Sequence, residues 1–163
     1  MNLSEIINGV EPVESEWISQ ARERTAQLVM PTRALGRLHE ISERLCGIRR
    51  TLKPSIDLKA VLVMAGDHGI VSEGVSAYPQ EVTGAMVQTF LAGGAGINAI
   101  CRHVNADVLV VDMGIIAVFD EAGRKDDDRL IVNKIAPGTA NFARGRAMSP
   151  REAEQAVMQG FQI

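Results

Sequence analysis

At Lys59 the hydrophobic period of the chain changes. Before it, apolar residues recur at helical intervals. From Ala60 to Ala65 they run unbroken (Ala-Val-Leu-Val-Met-Ala) and stop at a polar, Gly-rich turn, Gly66-Asp67-His68-Gly69. A short apolar run with β-branched residues suits a strand buried on both faces, as in parallel sheets. A second such run, Asp107 to Met113, ends at Gly114, and Arg129 to Lys134 reads as a third. Between the first two lie helical stretches from about Gln80 to Leu91 and from about Ala95 to His103, parted by Gly93-Gly94. Pro79 is expected at the first position of the former, with Glu81 in its first turn, where an acid suits the helix dipole. Strands alternating with helices at this spacing predict an α/β layered sheet, mostly parallel.

The residues before Lys59 read differently. Pro12 and Ser15 precede a helical stretch, Glu16 to Leu28, with Trp17, Ile18, Ala21 and Leu28 near helical spacing. Pro31 disfavours helical geometry at Met30 and ends it. A second helix is expected from about Arg33, its apolar stripe formed by Leu35, Leu38, Ile41, Leu45 and Ile48. This hairpin must bury its apolar faces against something else. The division implied is a helical region, 1–55, followed by the first part of an α/β domain, 56–163.

Near the other end, Ser149-Pro150-Arg151-Glu152 carries a helix start, with Ser as N-cap, Pro next and Glu at the third position. That helix runs to Phe161-Gln162-Ile163 with no capping Gly and no further strand. Two or three strands make a poor parallel sheet, because both faces and both edges need cover. The expectation is therefore an incomplete, Rossmann-like layered sheet, the N-terminal portion of a larger domain.

Composition narrows the function. Seventeen Lys and Arg against twenty Asp and Glu give a net charge of -3, without the basic footprint of a nucleic-acid binder. Aromatic residues make up 4%, too few for a base-stacking platform. No apolar run approaches the roughly 18 to 20 residues of a membrane span. Met1-Asn2-Leu3-Ser4-Glu5 lacks the basic start of a signal peptide. Cys46 and Cys101 sit in separate segments, as reduced, packed thiols do. A soluble cytoplasmic protein is expected, with no nucleic-acid or membrane partner and no zinc site at the cysteines.

The turn after the first strand is the best candidate for chemistry, since ligands of parallel sheets bind beyond the carboxyl ends of strands. Asp67 and His68 there suit substrate orientation, proton relay or metal binding; equally, Asp67 suits capping of loop amides. The stretch Glu73 to Thr83 leads into a helix N-terminus, where unpaired N–H groups attract anions and polar ring nitrogens. Tyr78, the one tyrosine, suits either stacking on a planar ring or stapling that helix. Gly93-Gly94-Ala95-Gly96 matches no phosphate-loop pattern and reads as a corner between helices. Asp126-Asp127-Asp128 reads as a solvated turn within the charged stretch Asp120 to Arg129, and His39 and His103 as surface or interface residues of helices. No G-x-S-x-G nucleophile signature is present. Two rival readings are a metal-dependent hydrolase using Asp67, His68 and Asp112, against which stands the single nearby His, and a non-catalytic, self-associating half-domain.

Several segments taken together resemble one family. Pro31-Thr32-Arg33-Ala34-Leu35-Gly36-Arg37-Leu38 is similar to the start of its second helix, and Val61 to Ile70 to its strand and DHG turn. Glu73-Gly74-Val75-Ser76, Tyr78 to Thr83, Gly93 to Asn98, Val111 to Gly114, and Gly138 to Phe142 before Ala147-Met148-Ser149 follow in the same order. The family is nicotinate-nucleotide–dimethylbenzimidazole phosphoribosyltransferase. The match covers nearly the whole chain but about the first half of the family's length.

The resemblance implies transfer of phosphoribose from nicotinate mononucleotide to 5,6-dimethylbenzimidazole, with inversion at the anomeric carbon. The products are nicotinate and α-ribazole 5′-phosphate, the lower-ligand precursor of cobalamin. It further implies a homodimer, no cofactor, and a catalytic Glu outside this chain, so that the fragment alone is inactive. Asp67, His68, Tyr78, Pro79, Val82 and Met86 would form one wall of the benzimidazole pocket, with Asp112 and Asn141 in support. Tyr78 and Met86 fall where some relatives carry Ser and Gln, which leaves other benzimidazoles and adenine open as bases.

Overall fold

A computed structural model describes residues 2–119 and 129–163, so the Asp126–Asp128 run lies outside the described residues. The chain divides into two compact units, one ending at Leu58 and the other beginning at Lys59.

The first unit is helical. A short helix absent from the sequence expectation, α1 (Leu3–Asn8), is set by a capping box: Glu5 N–H donates to Asn2 Oδ1 at 3.0 Å and Asn2 N–H to Glu5 Oε2 at 2.8 Å. Helices α2 (Ser15–Ala26) and α3 (Arg37–Arg49) pack on each other as the expected hairpin. α3 starts at Arg37 rather than near Arg33, because Arg33 (φ 53°) and Gly36 (φ 54°) adopt left-handed geometry that a helix cannot contain.

The face α3 buries also differs from the expected one. His39, Glu43, Cys46 and Gly47 are buried, whereas Leu35, Leu38, Ile41 and Ile48 are each more than half exposed. The polar side is held inward by the hairpin's own partners. Arg22 Nε of α2 donates to Glu43 Oε2 at 2.8 Å, and Arg33 places a guanidinium nitrogen 3.6 Å from the other carboxylate oxygen. His39, expected at the surface or an interface, is instead buried, its Nε2 accepting from Leu35 N–H at 3.2 Å.

Among the described residues, the second unit carries a sheet of three parallel strands, β1 (Ala60–Gly66), β2 (Asp107–Gly114) and β3 (Leu130–Val132), in the order β1-β2-β3. This is the open α/β arrangement expected. Helix α4 (Glu81–Leu91) lays Val87, Phe90 and Leu91 on Val63, Ala65, Val110, Ile115 and Leu130, forming the core. β2, paired on both sides, is buried over most of its length. β1 corrects the expectation of burial on both faces: Val63 and Ala65 meet the core, while Leu62 and Met64 on its other side are nearly half exposed.

Pro79 lies one residue before the N-cap of α4, Gln80, and not at its first helical position. Helix α5 (Gly96–Val104) follows a corner tied by Asn98, whose side chain accepts from Ala95 N–H at 3.1 Å and donates to Phe90 O at 3.0 Å. Gly93-Gly94-Ala95-Gly96 thus forms the expected helix–helix corner. The stretch Glu81–Val104 is apolar enough to suggest a membrane span, but the corner cuts it into helices of 11 and 9 residues. Neither crosses a hydrocarbon core of about 30 Å.

α6 (Pro150–Gln162) begins as its sequence predicts. Glu152 N–H donates to Ser149 Oγ at 3.2 Å and Ser149 N–H to Glu152 Oε2 at 2.7 Å. Hydrogen bonds to the carboxyl from Ser149, the backbone one foremost and the side-chain one after it, hold Glu152 below its ordinary pKa. Cys46 and Cys101 are buried free thiols, and His103 is exposed.

Candidate functional site

β1 delivers the chain to the sheet's carboxyl end, where Asp67 and His68 diverge. Asp67 is 4% exposed, and its Oδ2 accepts from Ile116 N–H at 2.8 Å. Its backbone is pinned on both sides: its N–H donates to Gly114 O at 2.9 Å, and its carbonyl accepts from Thr139 N–H at 3.0 Å. Asp112, also buried, accepts at Oδ1 from Gly114 N–H (3.0 Å) and Ile115 N–H (2.8 Å). Its Oδ2 makes no hydrogen bond and has Lys134 Nζ as its ionic neighbour at 3.3 Å. That ammonium also donates to Ala117 O at 3.0 Å. Both acids therefore brace the turn after β2; Asp67 caps an amide there and not, as the sequence suggested, in its own loop.

The hydrolase reading needs Asp67, His68 and Asp112 to converge on one ion. Instead the two carboxylates face backbone amides and a Lys. Among the described residues, no group of three or more His, Cys, Asp and Glu is placed to hold a metal.

His68 is exposed, and its Nδ1 lies 3.3 Å from Thr139 Oγ1. The two residues pair as an isolated parallel bridge, and Gly69 N–H donates to Thr139 O at 2.9 Å. Gly69 is required by this approach, since a Cβ there would sit 2.7 Å from that carbonyl oxygen. A 3-10 helix, Gly69–Glu73, then carries the chain away from the turn.

Between the turn and α4 lies a cavity of about 420 Å³, within the size range of small-molecule sites. Asp67, His68, Tyr78, Pro79, Val82 and Met86 all line it. Val71, Val87 and Phe90 add apolar surface to the lining. Tyr78 stands at the rim, 71% exposed. Ser76 shapes this rim by donating to Tyr78 O at 2.9 Å and accepting from Tyr78 N–H at 3.2 Å. Of the eight residues singled out in the sequence, six share this one cavity. Asp112 and Asn141 do not line it; Asn141 reaches the 3-10 helix instead, donating to Ser72 Oγ at 2.9 Å and Glu73 Oε1 at 2.6 Å.

A second cavity, about 500 Å³, opens on the other side of the same turn. Gly66, Asp67 and His68 belong to both linings; Met113, Ile135, Thr139, Arg146 and Met148 complete much of the second. The sequence reasoning missed it, along with Thr139, which partners His68, and Lys134, which neutralises Asp112. The available signal was Gly138-Thr139-Ala140-Asn141, a turn-rich stretch shortly before a capped helix N-terminus.

A family model described as phosphoribosyltransferase matches residues 10–163. The nicotinate-nucleotide–dimethylbenzimidazole phosphoribosyltransferase of Geobacter sulfurreducens is 45% identical over 161 residues, covering 99% of this chain and 44% of that protein. The enzyme of the same name from Thermus thermophilus is 46% identical over 148 residues, covering 91% and 43%. A crystal structure of the Thermus thermophilus enzyme superposes with a TM-score of 0.81 at 46% identity, covering 90% of this chain and 43% of that one. The chain thus spans less than half the length of the relatives it matches. It belongs to the nicotinate-nucleotide–dimethylbenzimidazole phosphoribosyltransferase family.

Proposed function

We propose that this chain is the base-binding, N-terminal portion of an enzyme that moves phosphoribose from nicotinate mononucleotide to 5,6-dimethylbenzimidazole. The observation that carries the reading is the cavity beside β1, where an apolar lining meets a tyrosine rim and an exposed imidazole. A methylated aromatic bicycle needs apolar walls, a ring to stack on and a few polar groups to orient its nitrogens. Val82, Met86 and Pro79 supply the walls, Tyr78 the ring, and His68 a polar group at the turn.

In the reaction, one ring nitrogen of the benzimidazole attacks the anomeric carbon of the mononucleotide. The bond from that carbon to the nicotinate ring nitrogen breaks, and nicotinate leaves. The N–H proton of the benzimidazole passes to a general base, a Glu supplied outside this chain. Asp67 and His68 support the pocket and carry no proton in this scheme; Asp112 and Asn141 brace it from behind. Residues 1–55 form a helical region whose exposed Leu35, Leu38, Ile41 and Ile48 suit a homodimer interface. The enzyme acts in the cytoplasm.

The test is calorimetric titration of 5,6-dimethylbenzimidazole into the chain. Saturable binding, weakened at least about tenfold by Val82→Asp, which puts a charge into an apolar wall, is the expected result. Turnover of added nicotinate mononucleotide should be absent, since positioning and the proton acceptor come from elsewhere. Tighter binding of adenine or an unmethylated benzimidazole would reassign the preferred base, and no binding at millimolar ligand would overturn the reading.

A further inference from the structure

The wall between the two cavities is held by a side chain that lines neither. Glu73 ends the 3-10 helix that begins at Gly69, and its Oε1 accepts from Asn141 Nδ2 at 2.6 Å and Arg144 Nε at 2.9 Å. Asn141 is itself shaped for this role. Its Oδ1 accepts from Ala143 N–H at 2.9 Å, its carbonyl accepts from Arg144 N–H at 3.1 Å, and its Nδ2 also reaches Ser72 Oγ at 2.9 Å. Ala140 N–H donates to Ala147 O at 2.8 Å, closing the loop that carries both donors.

This loop is bonded through Thr139 to the turn that the two cavities share. Thr139, two positions before Asn141, accepts from Gly69 N–H, donates to Asp67 O and sets its hydroxyl 3.3 Å from His68 Nδ1. Ile70 and Val71, on the same 3-10 helix as Glu73, line the base cavity, while Gly138, Thr139 and Ala140 line the other. A carboxylate that ties the loop to this helix therefore fixes both linings at once. The absence of a Cβ at Gly69 permits the approach; the Glu73 pairs hold it.

We propose that Glu73 is a positioning residue for the base cavity, holding the 138–144 segment against the Asp67–His68 turn through Asn141 and Arg144 and so fixing the imidazole of His68. The role rests on the reading of that cavity as a base site. It acts through geometry, since Glu73 lines neither cavity. Arg144 is three-quarters exposed and Glu73 about one-third, so the ion pair adds little to global stability. Two charge-assisted bonds nonetheless weigh on the local opening of one loop.

The experiment is native-state hydrogen exchange of the Gly69 and Thr139 amides, paired with dimethylbenzimidazole affinity, in the wild-type chain, Glu73→Ala and Glu73→Gln. Glu73→Ala should speed exchange at both amides about tenfold and weaken the base about fivefold, with the thermal midpoint nearly unchanged. Glu73→Gln, which keeps an acceptor for Asn141, should recover part of both. Unchanged exchange in Glu73→Ala would overturn the latch. Faster exchange with unchanged affinity would overturn its positioning role. A wild-type chain that binds no base overturns the cavity reading and the role with it, an outcome separate from a wild type that binds and a variant that binds equally well.

Discussion

α3 and α4 are both amphipathic by sequence, yet they use their apolar faces in opposite ways. α4 puts Val87 and Phe90 into the core against the sheet, whereas α3 leaves Leu38, Ile41 and Ile48 exposed and buries His39 and Glu43. Hydrophobic period establishes that a helix has an apolar face; it does not say what covers it. For α4 the sheet is within the same unit. For α3 the hairpin's contacts are settled by an ion pair, Glu43 with Arg22, and by the left-handed turn ahead of the helix.

The contrast can be broken by substitution. Ile115→Ala, which empties a fully buried position of the sheet unit, should cost about 2–5 kcal/mol in urea unfolding. A loss below about 1 kcal/mol would show that this core is not the source of the unit's stability. Glu43→Gln keeps the shape of the buried side chain but removes its charge from Arg22 and Arg33; about 1–2 kcal/mol is expected, read in the same way. Tolerance of this change would mean that the polar face of α3 is buried by backbone geometry alone.

A smaller effect sharpens the account of α6. The Glu152 carboxyl is held below its ordinary value in the folded chain, so its contribution to the cap is complete above the unfolded pKa and lost as pH falls through the lower, folded one. Helical signal lost on acidification in the wild type should be reduced in Glu152→Gln, measured by circular dichroism below pH 4.5. The smallest effect belongs to the exposed stripe. Leu38→Ala should change stability by no more than about 0.5 kcal/mol, whereas Leu38→Lys with Ile41→Lys should abolish any self-association seen by sedimentation.

Much of the fold was legible because its signals are local. The unbroken apolar runs at Ala60 and Asp107, the Gly-Gly corner and the Ser149–Glu152 cap each lie within a few residues. The six residues lining the first cavity were legible for a related reason: they cluster between Asp67 and Met86, around one turn and the helix after it. The second cavity was not, because its walls come from Gly66, Met113, Ile135, Thr139 and Met148, segments far apart in sequence that meet only in the folded chain. The exposure of Leu62 and Met64 was hidden too, since an apolar strand reads alike at a sheet's edge and at its centre. α1 escaped because six residues are too few to show a helical period.

The central claim is that the cavity between the Asp67–His68 turn and α4 holds an aromatic base. Titrating 5,6-dimethylbenzimidazole into the isotopically labelled chain while following its amide resonances tests this most directly. Saturable shifts confined to Asp67–Val71 and Tyr78–Val87, with α3 unmoved, are the expected result. Absence of saturation, or shifts centred on the exposed stripe of α3, would contradict it.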